Sequence, residues 1–180
     1  MKLAEQPVWL LAFAVACSQG EADFQPYLGQ DLPGETPVLF APGLVSTEGN
    51  RELNSIFTPD GREFYYSIAD SLAATVMVMH WEDGAWTAPV PAPFTSGYGE
   101  VDPFLAPDGR RMFYGSRAPR SGEVPEENWQ IWAVDREGDA WGEPYPLSEA
   151  VNSGERQIYP SVASDETLYF QSRREDTLGE

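Results

Sequence analysis

One phrase, written three times, constrains this chain more than any other feature. Phe57-Thr-Pro-Asp-Gly-Arg-Glu-Phe-Tyr-Tyr-Ser67 returns as Phe104-Leu-Ala-Pro-Asp-Gly-Arg-Arg-Met-Phe-Tyr-Gly-Ser116. A worn copy follows as Tyr159-Pro-Ser-Val-Ala-Ser-Asp-Glu-Thr-Leu-Tyr-Phe-Gln-Ser172. Pro59 presets φ for the first corner of a type I turn, Asp60 takes the second, and Gly61 supplies a positive φ. That is the chemistry of a three-residue hairpin closed by a glycine bulge. Ile56 and Phe57 before the turn, and Phe64, Tyr65 and Tyr66 after it, are β-favouring apolar residues that supply the two strands. In the third copy Ser164-Asp165-Glu166 replaces Pro-Asp-Gly, so that hairpin must turn without glycine.

Each phrase opens a larger unit. In the first, strands are expected over 54–58, 63–68 and 75–81. A fourth starts at Ala85-Trp86 and is closed off by Pro89, Pro91 and Pro93. Proline is tolerated at a strand edge or end, which makes the fourth strand the outermost of its sheet. The second unit repeats the order over 101–106, 111–116, 129–135 and 140–147, and the third stops after its second strand. The spacing from Asp60 to Asp108 is 48 residues and from Asp108 to Asp165 is 57. The extra length sits in a Pro/Gly/Glu-rich loop over 118–127. A four-stranded unit recurring at roughly 50 residues is the spacing of β-propeller blades, which stack because none can cover both of its own faces. The expected fold is therefore all-β: a partial propeller of four-stranded antiparallel blades, about two and a half of them. The blade units run over 52–98, 100–150 and 157–180. The segment 37–42, aligned with the outer strands of the later units, is expected to be a strand of a preceding blade.

The Thr58-Pro-Asp-Gly61 and Ala106-Pro-Asp-Gly109 turns, each followed by an aromatic strand, resemble the PD40 or TolB-like, WD40-like propeller repeat. The lead-in over 39–47 is similar to the segment that precedes such repeats in envelope proteins. The resemblance spans residues 37–174 and implies the propeller fold, an envelope setting and a ligand at one mouth of a central channel. Rings of this type need four to eight blades. The expectation is therefore a truncated chain, or an oligomer if the chain truly ends at Glu180.

The formal net charge of −18, from 29 acidic and 11 basic residues, disfavours nucleic acid as a partner. At the N-terminus an apolar run over 7–16 is too short for a permanent membrane helix and ends in Ala14-Val-Ala16, a secretory cleavage pattern. Cys17, the only cysteine, follows at once and resembles a bacterial lipobox cysteine. Residues 1–16 are thus read as a signal peptide, Cys17 as a lipidation site and 17–35 as a lipid-anchored tether, with a propeller over 36–180. Membrane attachment would be through the N-terminal lipid only. The location is the cell envelope, facing the periplasm or on the outer membrane, with ordinary secretion as the alternative.

Catalytic chemistry has little to hold. No nucleophile elbow, P-loop, H-E-x-x-H or paired-cysteine pattern occurs, and the one histidine, His80, has no serine placed beside it by motif. No catalytic residue, metal ligand or cofactor is assigned. Asp60, Asp83 and Asp108 sit where Asp is favoured by turn geometry. Trp86 and Trp141 recur at one repeat position, which argues for packing between blades. The candidate binding residues are those that precede the inner strands at the channel mouth, Glu52, Asn54, Glu100 and Asp102. Loop candidates are Trp129, beside the inserted loop, and Arg117 and Arg173, which match each other after the second strand. The reading favoured is a non-enzymatic envelope propeller that binds or scaffolds a protein or glycan. Its alternatives are the amino-terminal propeller of a larger peptidase-like hydrolase, and a metal-dependent sugar- or lactone-processing propeller.

Overall fold

Strands Arg51–Phe57 (β1) and Glu63–Ala69 (β2) pair antiparallel around the Pro59-Asp60-Gly61 turn in a computed structural model that describes residues 23–69, 74–121 and 124–174. Gly61 has φ 72° and donates its N–H to the Thr58 carbonyl at 2.8 Å. Asp60 Oδ1 accepts from the Arg62 N–H at 3.0 Å. The second copy is built alike: Gly109 has φ 73° and Asp108 Oδ1 accepts from the Arg110 N–H. In the third, Glu166 takes φ 67° where the others have glycine, and Asp165 Oδ1 still caps the Thr167 N–H. There the turn closes one residue sooner, the Ala163 N–H reaching the Thr167 carbonyl where Thr58 reaches Glu63.

The first blade continues with Ala74–Glu82 (β3), which turns through Asp83 and Gly84, both at positive φ, into Ala85–Trp86 (β4). Val90–Pro91 (β5) then pairs with β3 farther along. The expected fourth strand is outermost, in two short pieces. Glu100–Leu105 (β6), Arg111–Ser116 (β7), Gln130–Glu137 (β8), Ala140–Trp141 (β9) and Tyr145–Pro146 (β10) repeat the plan, and Arg156–Val162 (β11) with Leu168–Arg173 (β12) begin a third blade. Four-stranded antiparallel blades in this order make an all-β partial propeller.

Strand alternation decides what stacks on what. On β2, Tyr65 faces the second blade and joins Val76, Val78, Phe94, Leu105, Met112, Tyr114, Trp132 and Val134 in one buried cluster. Phe64 and Tyr66 face the other way, onto Ala41 and Val45 of the N-terminal segment. Between the second and third blades, Phe113, Ile131 and Ala133 meet Val162, with Leu168 and Phe170 at the margin. Trp141 does pack between blades, its Nε1–H donating to Tyr65 Oη at 2.9 Å. Trp86 instead donates to the Gln25 carbonyl at 2.8 Å, so part of the expected tether lies against the first blade. Phe24 stands edge-on to Trp81, and Tyr27 edge-on to Phe57.

One expected strand is absent. Residues 37–42 join no ladder; Pro42 makes only an isolated parallel bridge to Ser46, and Val38 and Leu39 are exposed. Pro37 and Pro42 lack N–H groups, and no described strand pairs with the segment.

Candidate functional site: the cleft between the inner strands

Each inner strand carries a register break at the same repeat position. The breaks fall at Asn54 (φ 25°), Asp102 (φ 57°) and Tyr159 (φ 54°), spaced 48 and 57 residues apart like the turns. In the second and third copies a proline follows, Pro103 and Pro160, which cannot donate to the ladder and enforces the bulge. β6 lies between β1 and β11. The bulges stitch the three blades together. The Asp102 N–H donates to Ser67 Oγ in the first blade at 2.9 Å, while its carboxylate accepts from the Tyr159 N–H in the third.

Beside this stitch opens a cleft of about 430 Å³. Its floor is one repeat position written three times, Leu53, Val101 and Ile158. Its rim is another, Arg51, Gly99 and Arg156. Equivalent residues of three successive blades thus meet in one cleft, near the axis about which the blades are arranged. Arg117, Trp129, Tyr98, Asp102 and Tyr159 also line it. Gly99 has φ 109°, and a Cβ there would stand 3.3 Å from the Trp129 indole; glycine makes the room that lets the ring lie over the loop.

Three expected candidates therefore come together: Asp102, Arg117 and Trp129. Arg117 is oriented by Nε–H donating to the Glu126 carbonyl at 3.0 Å, which ties it to the inserted loop. Asp102 is buried at 3 % exposure, and that burial pushes its carboxyl up to about 6 against the opposing pull of the Tyr159 N–H and Arg156.

Glu52, Glu100, Asn54 and Arg173 are not among the lining residues. Glu52 and Glu100 are one residue out of phase with the cleft, and strand alternation turns them toward the preceding segment. Glu52 Oε1 accepts from Thr47 Oγ1 at 2.7 Å and from the Thr47 N–H at 3.1 Å, and the Thr47 hydroxyl holds its carboxyl below the usual range. Glu100, wholly buried, accepts from the Ser96 hydroxyl and from the Ser96 N–H at 3.0 Å. Both latch the loop that leads into their strand. Asn54 is exposed at its bulge, and the exposed Arg173 caps the Glu155 N–H with its carbonyl. Cys17 lies outside the described residues.

Arg51, Arg156, Tyr98 and Tyr159 complete the site without having been singled out in the sequence. A signal existed for Tyr159: counting 57 residues on from Asp102 lands on it. His80 is at the opposite end of the blade, its Nδ1 3.6 Å from Glu63 Oε1, in a network with Arg136. Among the described residues no group of three or more His, Cys, Asp or Glu gathers to hold a metal, and no helix is long and apolar enough to cross a membrane.

No protein-family model and no curated protein sequence matches the chain. Among solved structures it is similar to TolB from Acinetobacter baumannii, at 14 % identity and a TM-score of 0.34, over 71 % of this chain and 39 % of that one. The chain thus spans well under half the length of the structure it resembles.

Proposed function

We propose that the chain is a non-enzymatic β-propeller module of the cell envelope that binds a protein or glycan in the axial cleft. The observation that carries this is the convergence of repeat-equivalent residues from three blades on one concave site with arginine and aromatic side chains in its rim. Concave sites with an apolar floor and a few placed polar groups are where ligands settle. The repeats are of the PD40, TolB-like kind on the strength of their Pro-Asp-Gly phrase, and Cys17 anchors the chain through a lipid.

The test is retention of envelope proteins and arrayed glycans by the full chain and by Trp129→Ala. A species held by the parent and lost by the variant supports the proposal. Undiminished binding by the variant, or release of a cleaved product, overturns it. For the anchor, Cys17→Ser releases the protein from the membrane fraction; unchanged association refutes lipidation.

A further inference from the structure

We infer that the cleft takes an extended acidic peptide, with carboxylate side chains seated on Arg51, Arg117 and Arg156. The inference rests on the cleft being the binding site and names what occupies it. The chain has 29 acidic residues against 11 basic, yet three of its arginines line this one cleft. Among the described residues none of the three forms an ion pair, whereas Arg111, Arg120 and Arg136 all do. Arg156 acts electrostatically on the buried Asp102. Guanidinium groups without a salt bridge in so acidic a protein can take carboxylates brought by a ligand.

Their placement favours a chain over a single small anion. Arg51 stands on the first blade, Arg117 on the second and Arg156 on the third, with Gly99 occupying the repeat position between Arg51 and Arg156. One carboxylate serves one fork; three rims call for several, spaced along a backbone. Alternate residues of an extended peptide present side chains about 7 Å apart on one face. β1 also ends its sheet, so its outer edge carries N–H and C=O groups that no described strand pairs, whereas the Asp102, Gln157 and Tyr159 N–H groups of β6 and β11 are already taken. Among the described lining residues the one carboxylate, Asp102, is buried, accepts from the Tyr159 N–H and is offset by the charge of Arg156. Elsewhere the surface, at net −18, repels such a ligand and leaves the cleft as its docking point.

The experiment is an array of synthetic heptapeptides carrying zero to three Asp or Glu at alternate positions, read with the full chain, Arg51→Gln and Arg156→Gln, alongside a uronic-acid oligosaccharide. Arg51 is exposed, so its variant reports on binding even if Arg156→Gln folds poorly. Binding is expected to rise with the number of carboxylates, to weaken with added salt, and to fall about ten-fold or more in each variant. Equal binding of neutral and acidic peptides overturns the inference, as does acidic-peptide binding that both variants retain. Uronate binding without peptide binding also overturns it, but leaves the cleft as a ligand site. If nothing binds and Trp129→Ala changes no retained species, the reading of the cleft itself falls.

Discussion

Asp102 donates its backbone N–H to Ser67 Oγ at 2.9 Å across the boundary between the first and second blades. The same residue receives the Tyr159 N–H on its carboxylate, so three blades are joined through one residue held at φ 57°. Asp is among the few residues that tolerate this conformation. It also accepts a buried hydrogen bond there, at the cost of carrying a carboxylate into the interior.

That cost is readable against pH. The folded carboxyl is raised to about 6 from an ordinary 3.8, so the native state holds its proton more tightly than the unfolded chain. The contribution is fully present below about pH 4 and is lost as pH rises through 6, by on the order of 3 kcal/mol. Asp102→Asn keeps an acceptor for Tyr159 and removes the titration. Urea unfolding is expected to show the variant equal to the parent near pH 4 and more stable above pH 6. Parallel curves across that range would refute the assignment.

Glu166 does without glycine what Gly61 and Gly109 do with it, at φ 67°. A left-handed residue with a Cβ costs about 1–2 kcal/mol, part of which glycine returns through its freer unfolded chain. Glu166→Gly is therefore expected to raise stability by about 0.5–1 kcal/mol in chemical denaturation. A loss of stability would mean the shorter third turn has relieved the strain in another way.

Gly154 lies against β12. A Cβ there would sit 2.2 Å from the Arg173 carbonyl oxygen, which is itself fixed by the Glu155 N–H at 2.9 Å. Gly154→Ala must push the strand end away, costing about 1–3 kcal/mol and exposing the Glu155 amide to hydrogen exchange. Gly34, with nothing within 4 Å, is the control, and Gly34→Ala should change neither reading. Indistinguishable exchange in the two variants would count against the close approach.

The far end of the first interface is clamped by charge and rings. Arg136 pairs with Glu63 of the first blade and lies 4.3 Å above the Trp141 ring, whose N–H reaches Tyr65 Oη. Trp141→Phe is expected to cost about 1–2 kcal/mol, and a double-mutant cycle with Tyr65→Phe to give a coupling of about 1 kcal/mol. Additive single effects would show that the indole acts through packing alone.

The repeating turns, the strand order and the outermost position of the fourth strand were legible because they depend on local chemistry: Pro-Asp-Gly at fixed offsets, and prolines where a ladder must stop. The inward packing of Trp141 could be read the same way, from its recurrence with Trp86. Where Trp86 itself goes was not legible, because Gln25 reaches it, and Phe24 reaches its neighbour Trp81, from a stretch with no periodicity of its own. Of the expected channel-mouth positions Asp102 lines the cleft, and others fall one residue away from it. Glu52 and Glu100 are neighbours in sequence of the positions that line it, and a strand turns neighbours to opposite sides. Which side faces the axis depends on how blades stack, since Leu53, Val101 and Ile158 are ordinary apolar residues until three strands bring them together. Sequence alone determined the hairpins and their period. Tertiary structure decided that arginines more than a hundred residues apart share one cleft, because their meeting depends on contacts between blades that local preference does not encode.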